Sequence, residues 1–315
     1  MTQYRNHLPQ LDGGLFLTDG GLETTLLFHE KIDLPFFAAF DLLRDRKGKA
    51  LLRDYYTRYT DLARRDGYGF ILESPTWRAS ADWGDRLGYS REALAAVNRE
   101  SIELMAELRD ACRSPAMPVV ISGCVGPRGD GYDPGALMTP DEAEAYHGEQ
   151  IATFAGTAAD MITAITMNNA EEAIGVARAA MGAGMPVAIS FTVETDGRLP
   201  TGQRLGQAIQ AVDEATDAAP AYYMINCAHP THFADELSRA GSWRGRVRGL
   251  RANASRCSHA ELDRARTLDD GDPAELGGQY RALLRRNPRI AVLGGCCGTD
   301  HRHVDQISLA CKAAA

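Results

Sequence analysis

The sequence predicts an α/β protein of a single domain, a closed (β/α)8 TIM barrel over residues 1–315. Three observations point there. Short apolar runs alternate with helical stretches through the whole chain, without a break long enough to separate two domains. Several of the runs are continuously apolar, as parallel strands covered on both faces are. The turn after the first run, Asp19-Gly20-Gly21-Leu22-Glu23, lacks the glycine spacing of the phosphate-binding loop that a doubly wound open sheet would carry there.

Taken in order, Phe16 to Asp19 reads as a first strand that stops at Gly20-Gly21. Leu51, Leu52, Tyr55, Tyr59 and Leu62 fall at helical spacing, which predicts a helix over 50–66. Gly69 to Glu73 is the second strand, closed by Ser74-Pro75, and the helix of 92–112 follows on Leu94, Val97, Ile102, Met105 and Leu108. Pro118 to Gly123 is the third strand, and Gly126-Pro127 ends it. Thr139 caps a helix over 140–160, Met161 to Thr166 is the fourth strand, and 170–183 is helical up to Gly184. The fifth strand is Pro186 to Phe191, followed by a helix over 206–218. The sixth, Ala221 to Asn226, delivers Cys227, and a helix over 233–240 follows it. The seventh is Val247 to Ala252, after which Arg251 to Gly271 reads as a long polar loop before the helix of 274–286. The eighth strand, Ile290 to Leu293, precedes a last helix over 301–315.

A net charge of -8 and a pI near 5.5 disfavour nucleic acid or an anionic membrane surface as partner, since both need a concentrated basic face. The arginines at 244, 246 and 248 read as a solvated loop before a strand. No apolar run reaches the roughly 18 residues of a membrane span, and Met1 to Gly14 lacks the apolar stretch of a secretory signal. The seven cysteines are odd in number and scattered, which suits free thiols in the cytoplasm better than paired bridges.

In a barrel of this kind the reacting groups sit at the C-terminal ends of the strands. Cys227 ends strand six, and Cys296 with Cys297 follow strand eight inside Gly294-Gly295-Cys296-Cys297-Gly298-Thr299. Neighbouring residues on a regular strand face opposite ways. Both cysteines can therefore meet one ion only where the backbone bends, and the glycines permit the bend. Three thiolates suit Zn²⁺ and leave one coordination position open. Such an electron-rich centre is matched less to Lewis-acid chemistry than to holding a substrate thiol as a nucleophilic thiolate. A lone cysteine is more often a small core residue; Cys112, Cys257 and Cys311 are read that way, and Cys124, just past strand three, is the other sulfur near the strand ends.

Asp19-Gly20-Gly21 with Thr24, then Ile225-Asn226-Cys227, then the Gly-Gly-Cys-Cys-Gly element resemble the homocysteine S-methyltransferase family in order and spacing over nearly the whole chain. Weaker echoes are Thr76-Trp77-Arg78-Ala79-Ser80, Gly126-Pro127, Pro200-Thr201-Gly202 and Asn253. The resemblance implies a zinc-dependent enzyme that moves a methyl group from a small onium donor, such as S-methylmethionine or betaine, to the sulfur of homocysteine, making methionine. Cys227, Cys296 and Cys297 match the family's zinc ligands, and Asp19, Gly20 and Gly21 match the segment that helps hold the amino acid part of the acceptor. The expected partners are therefore a small-molecule thiol and a free small-molecule methyl donor. Trp77, Trp83, Tyr132 and Phe191 are candidate walls for the donor cation.

The chain departs from the family where a Glu-Thr pair usually ends strand four: it has Ile165-Thr166-Met167. Thr166 stands where the family acid is expected and is counted with Asn226 among the substrate-site residues, and Glu194 or Glu73 is the candidate to restore the missing carboxylate. Met224 and Asp300-His301 are smaller departures. Two other readings follow: a methyltransferase for a different thiol or selenol, and a barrel that keeps zinc for binding or redox sensing without the reaction.

Overall fold

The computed structural model describes residues 2–114 and 116–312. Within them the strands Phe16–Leu17 (β1), Gly69–Glu73 (β2), Val119–Val125 (β3), Met161–Met167 (β4), Val187–Phe191 (β5), Tyr222–Asn226 (β6), Val247–Ala252 (β7) and Val292–Gly295 (β8) form one closed parallel barrel in chain order. Closure is made where Phe16 lies opposite Val292 and Leu17 opposite Leu293. The predicted fold is the observed one.

The helices cover the barrel where their apolar spacing placed them, with ends shifted by a few residues. Arg46–Asp66 begins one turn earlier than expected because Asp45 caps it, its carboxylate accepting from Gly48 N at 2.8 Å. Pro140–Ala155 is opened by Thr139 in a reciprocal capping box with Glu142, and ends before 160. The last helix is His301–Lys312; residues 313–315 of its expected span, and of the expected 1–315 domain, lie outside the described residues. Among the described residues no helix is long and apolar enough to cross a membrane.

The strands' period of two decides what the barrel interior contains. Phe16, Ile71, Val120, Met161, Ala188, Tyr222, Met224 and Val292 form one apolar cluster with Leu8 of the N-terminal segment. This packed floor is reinforced by Gln10, which donates to the Tyr222 hydroxyl at 3.4 Å. Two residues further along the strands the inward positions are Thr18, Glu73, Ser122, Thr163, Ser190, Asn226 and Arg251, all buried. A polar layer thus rests on an apolar floor, facing the end of the barrel where strands finish. Between barrel and helices lies the larger apolar core, which includes Phe40, Tyr56, Phe154, Phe191 and Phe233.

Two strand boundaries differ from expectation in ways that bear on the site. β3 runs on to Val125, so Cys124 lies within the strand rather than past it. β8 is displaced toward the C-terminus, so Gly294 and Gly295 belong to the ladder and not to the bend. Their role is close packing, since a Cβ on Gly294 would collide with the Thr18 hydroxyl and one on Gly295 with the Thr299 side chain.

Candidate active site at the C-terminal ends of the strands

β7 sets the geometry of the three cysteines from between their strands. Its terminal backbone groups bond alternately to both sides: Cys227 N donates to Arg251 O at 3.1 Å, Cys296 N to Ala252 O at 2.8 Å, Asn253 N to Ala228 O at 3.1 Å and Ala254 N to Cys297 O at 3.1 Å. Strands two apart in a sheet stand roughly 9.6 Å from one another, yet the Cα atoms of Cys227 and Cys296 are 5.3 Å apart. The chain closes that gap by bending inward at Cys227, which holds a left-handed φ of 52°. For a residue with a Cβ this conformation costs about 1–3 kcal/mol, and such strain concentrates at functional sites.

Cys296 and Cys297 reach the same point through a tight turn. Thr299 N donates to Cys296 O at 3.0 Å, its hydroxyl donates to the same carbonyl at 2.7 Å, and Gly298 takes φ 78° at the third turn position, where a left-handed residue is required. The three sulfurs all lie within 4.8 Å of one another. Sulfurs on a tetrahedral zinc, with Zn–S near 2.3 Å, stand about 3.8 Å apart; Cys227 and Cys297 are at 3.7 Å. The donor set therefore fits the metal, with Cys227 and Cys296 the one pair that lies closer than a shared ion would hold them.

One expectation is corrected. The sequence pointed to unbridged thiols, whereas Cys227 and Cys296 are joined as a disulfide; Cys112, Cys124, Cys257, Cys297 and Cys311 are free. The inward bend that gathers three sulfurs for an ion also brings two of them within bonding reach. Burial pushes the Cys297 thiol up to about 11, with the Tyr132 hydroxyl, 3.6 Å from its sulfur, pulling the other way. A thiol so placed stays protonated at neutral pH without a cation beside it.

Asn226 ties β4, β5 and β6 together directly beneath the sulfurs. Its Oδ1 accepts from Thr166 N at 2.9 Å and from the Ser190 hydroxyl at 2.6 Å, while its Nδ2 donates to Thr166 Oγ1 at 2.8 Å and faces Cys296 Sγ at 3.8 Å. Thr166 has φ 66°, at the point where the β4–β5 register shifts.

The three cysteines and Thr166 line a cavity of about 370 Å³. Asp19, Gly20, Gly21, Trp77, Cys227, Cys296 and Cys297 are all on its wall, as are Ile165 and Thr166, the latter where the family resemblance led one to expect an acid. Glu194 and Asn226 are not on the wall. Glu194 instead places Oε1 2.9 Å from His259 Nδ1, and His259 Nε2 reaches the Cys227 carbonyl at 2.6 Å, so this acid supports the bend rather than the cavity. Phe191 is likewise absent from the wall: it is fully buried and stacked on Tyr223 in the outer core.

Sequence reasoning named Asp19 and Glu73 but missed Arg251 and Glu23, charges that also face the cavity. Arg251, inward-facing in β7, donates to Asp19 Oδ1 at 2.7 Å and to Gly295 O at 3.1 Å, and Tyr55 donates to Asp19 Oδ2 at 3.0 Å. Counting alternate positions along Val247 to Ala252 would have turned Arg251 inward. Glu73 and Glu23 also face the cavity. Burial pushes each up to about 7; for Glu73, Arg251 and the hydroxyls of Ser122 and Thr163 oppose the rise. Glu73 Oε2 is buried with no hydrogen-bond partner. Trp77, Trp83 and Tyr132 are on the wall too, but their faces are partly covered: Arg78 lies 4.1 Å from the Trp77 ring centre and 3.9 Å from that of Trp83, and Tyr132 stacks on His259 at 3.8 Å.

With this geometry in view, the chain matches the family model described as homocysteine S-methyltransferase over residues 16–311. Its structure is similar to that of the homocysteine methyltransferase MmuM from Escherichia coli in an oxidized form, at 18% identity and a TM-score of 0.76, covering 94% of this chain and 95% of that one. The metallated form of the same protein matches at 18% identity and a TM-score of 0.73, over 95% of this chain and 97% of that one. No curated protein sequence matches the chain.

Proposed function

The chain belongs to the homocysteine S-methyltransferase family and is an S-methyltransferase acting on small molecules; from that premise we propose that it methylates homocysteine at a zinc centre, using a small onium donor. The observation that carries this reading is the convergence of Cys227, Cys296 and Cys297 at one wall of a closed-bottomed cavity. With the Cys227–Cys296 link reduced, zinc held by these three sulfurs would supply the positive charge that lets a thiol ionise at neutral pH. The metallated form of the E. coli relative supports a metal in this fold.

The chain's own residues do the rest. Asn226, anchored to Thr166 and Ser190, holds an amide N–H toward the sulfurs and keeps the end of β6 in place. Asp19 is already engaged by Arg251 and Tyr55, so in this reading the Asp19-Gly20-Gly21 turn shapes the acceptor subsite rather than offering a free carboxylate. Glu73, with an unpartnered oxygen on the cavity wall, takes over the charge that Thr166 lacks and receives the acceptor's ammonium group. The apolar floor keeps water from entering from below, which favours attack of a poorly solvated thiolate on the donor methyl and loss of the donor's positive charge. A chemistry that depends on reduced sulfur also fits a cytoplasmic setting.

A second reading, in which another thiol or a selenol is the acceptor, is favoured by Thr166 alone. Methionine formation from homocysteine with a panel of onium donors tests the first, with metal content measured on the same samples. Retention of activity in Cys296→Ser or Cys297→Ser variants that have lost their metal would sink it. Thermal protection by other thiols and not by homocysteine would select the second.

A further inference from the structure

Arg78 stands on the cavity wall, 6% exposed, in the segment that follows β2. Its Nη1 donates to Gly129 O at 2.7 Å, while its Nε is buried with no acceptor. Among the described residues no carboxylate lies within ion-pair distance of it, although Asp130 and Glu23 are near enough to act on it electrostatically. Burial draws the guanidinium down to about 10. A largely buried cation with an unpartnered donor is costly unless something anionic comes to meet it.

The surroundings fix how that can happen. Trp77 and Trp83 flank the guanidinium, and Arg86 lies over Trp83 at 4.6 Å. The flat faces expected to receive an onium group are therefore turned toward the protein's own cations. With Nη1 engaged by Gly129, the Nε–Nη2 edge remains, and this is an edge that binds a carboxylate with two parallel hydrogen bonds. The acceptor subsite proposed above lies at Glu73 and the Asp19-Gly20-Gly21 turn, so Arg78 is left to the second substrate.

Resting on the methyltransferase reading, we propose that Arg78 recognises a carboxylate on the methyl donor, and that the enzyme selects zwitterionic donors over bare onium ions. Its loss should therefore change donor selection and not the metal site. Tryptophan fluorescence, with two indoles against Arg78, gives a binding signal that needs no turnover.

The test compares full-length wild type with Arg78→Gln and Arg78→Lys, titrated with S-methylmethionine and glycine betaine and with their carboxylate-free counterparts, trimethylsulfonium and tetramethylammonium. We expect Arg78→Gln to weaken binding of a zwitterionic donor by about 10- to 100-fold, the loss of a charged hydrogen bond, with Arg78→Lys intermediate. Metal content should stay equal to wild type, and binding of the carboxylate-free ions should change by less than about twofold on the same principle that only the lost contact is read. Equal weakening of both donor classes, or no weakening of either, overturns the proposal. So does a rise in KM confined to homocysteine that disappears with 3-aminopropanethiol, which would assign the carboxylate to the acceptor. Failure to methylate any thiol, with the donor titrations still split by Arg78, would count against the reaction and not against this site.

Discussion

His259 holds Cys227 by its backbone: the imidazole Nε2 lies 2.6 Å from the Cys227 carbonyl oxygen, with Glu194 Oε1 2.9 Å from the other ring nitrogen. Thr192 donates to the same carbonyl at 3.3 Å. A strained, left-handed cysteine is thus held from outside the cavity by a histidine that no zinc-ligand pattern would have singled out.

Replacing His259 with Ala should weaken metal binding by about 10- to 100-fold, the usual cost of losing a group that orients a ligand. Competition with a chelator checks this. Unchanged affinity would show that the bend at Cys227 persists without the imidazole.

Asn226→Ala removes the acceptor of Thr166 N and of the Ser190 hydroxyl at a buried position. One unsatisfied backbone N–H costs about 1–3 kcal/mol, so the urea midpoint should fall with little change in slope.

The Asp19–Arg251 pair is buried on both sides, at 5% and 8% exposure. Arg251→Met alone should destabilise by about 3–5 kcal/mol because it leaves a carboxylate without its counter-charge. Combining it with Asp19→Asn should recover part of the loss, and denaturant titrations of the two single variants and the double variant would measure the coupling.

Glu73 carries a pH signature. Its carboxyl is pushed from 4.5 up to about 7 by burial. Between those values the folded protein binds a proton that the unfolded chain has released, so stability is present below 4.5 and is lost as pH rises through 7. Glu73→Gln should flatten that slope and be the more stable protein at pH 8, by up to about 3 kcal/mol. Melting temperatures from about pH 5 to pH 8 would check it.

The barrel itself was legible because each strand carries its own apolar run and each helix its own period, both local signals. The sulfur triad was legible for a related reason: fold class alone assigns Cys227, Cys296 and Cys297 to one end of one barrel. The cavity wall was not, because its charges depend on which face each strand turns inward and on contacts across the barrel. Glu194 looked free in sequence and is engaged by His259, which lies 65 residues further along the chain. Arg251, read both as part of strand seven and as the start of a polar loop, is a buried strand residue paired with Asp19, 232 positions away. Phe191 illustrates the same limit, since a shift of one residue along β5 separates the outer core from the barrel interior.

The link between Cys227 and Cys296 spans 69 positions of sequence. Those positions hold the helix Pro230–Leu237, β7, the loop after it, the helix Pro273–Arg286 and β8. In the chain-entropy picture, fixing the ends of a loop that long removes about 4 kcal/mol of disorder from the unfolded ensemble. An ion gripped from both ends would restrict the same loop while it stays bound. The last quarter of the barrel is therefore hemmed by the groups that perform its chemistry, and removing both the ion and the Cys227–Cys296 link should make this part of the fold the first to open.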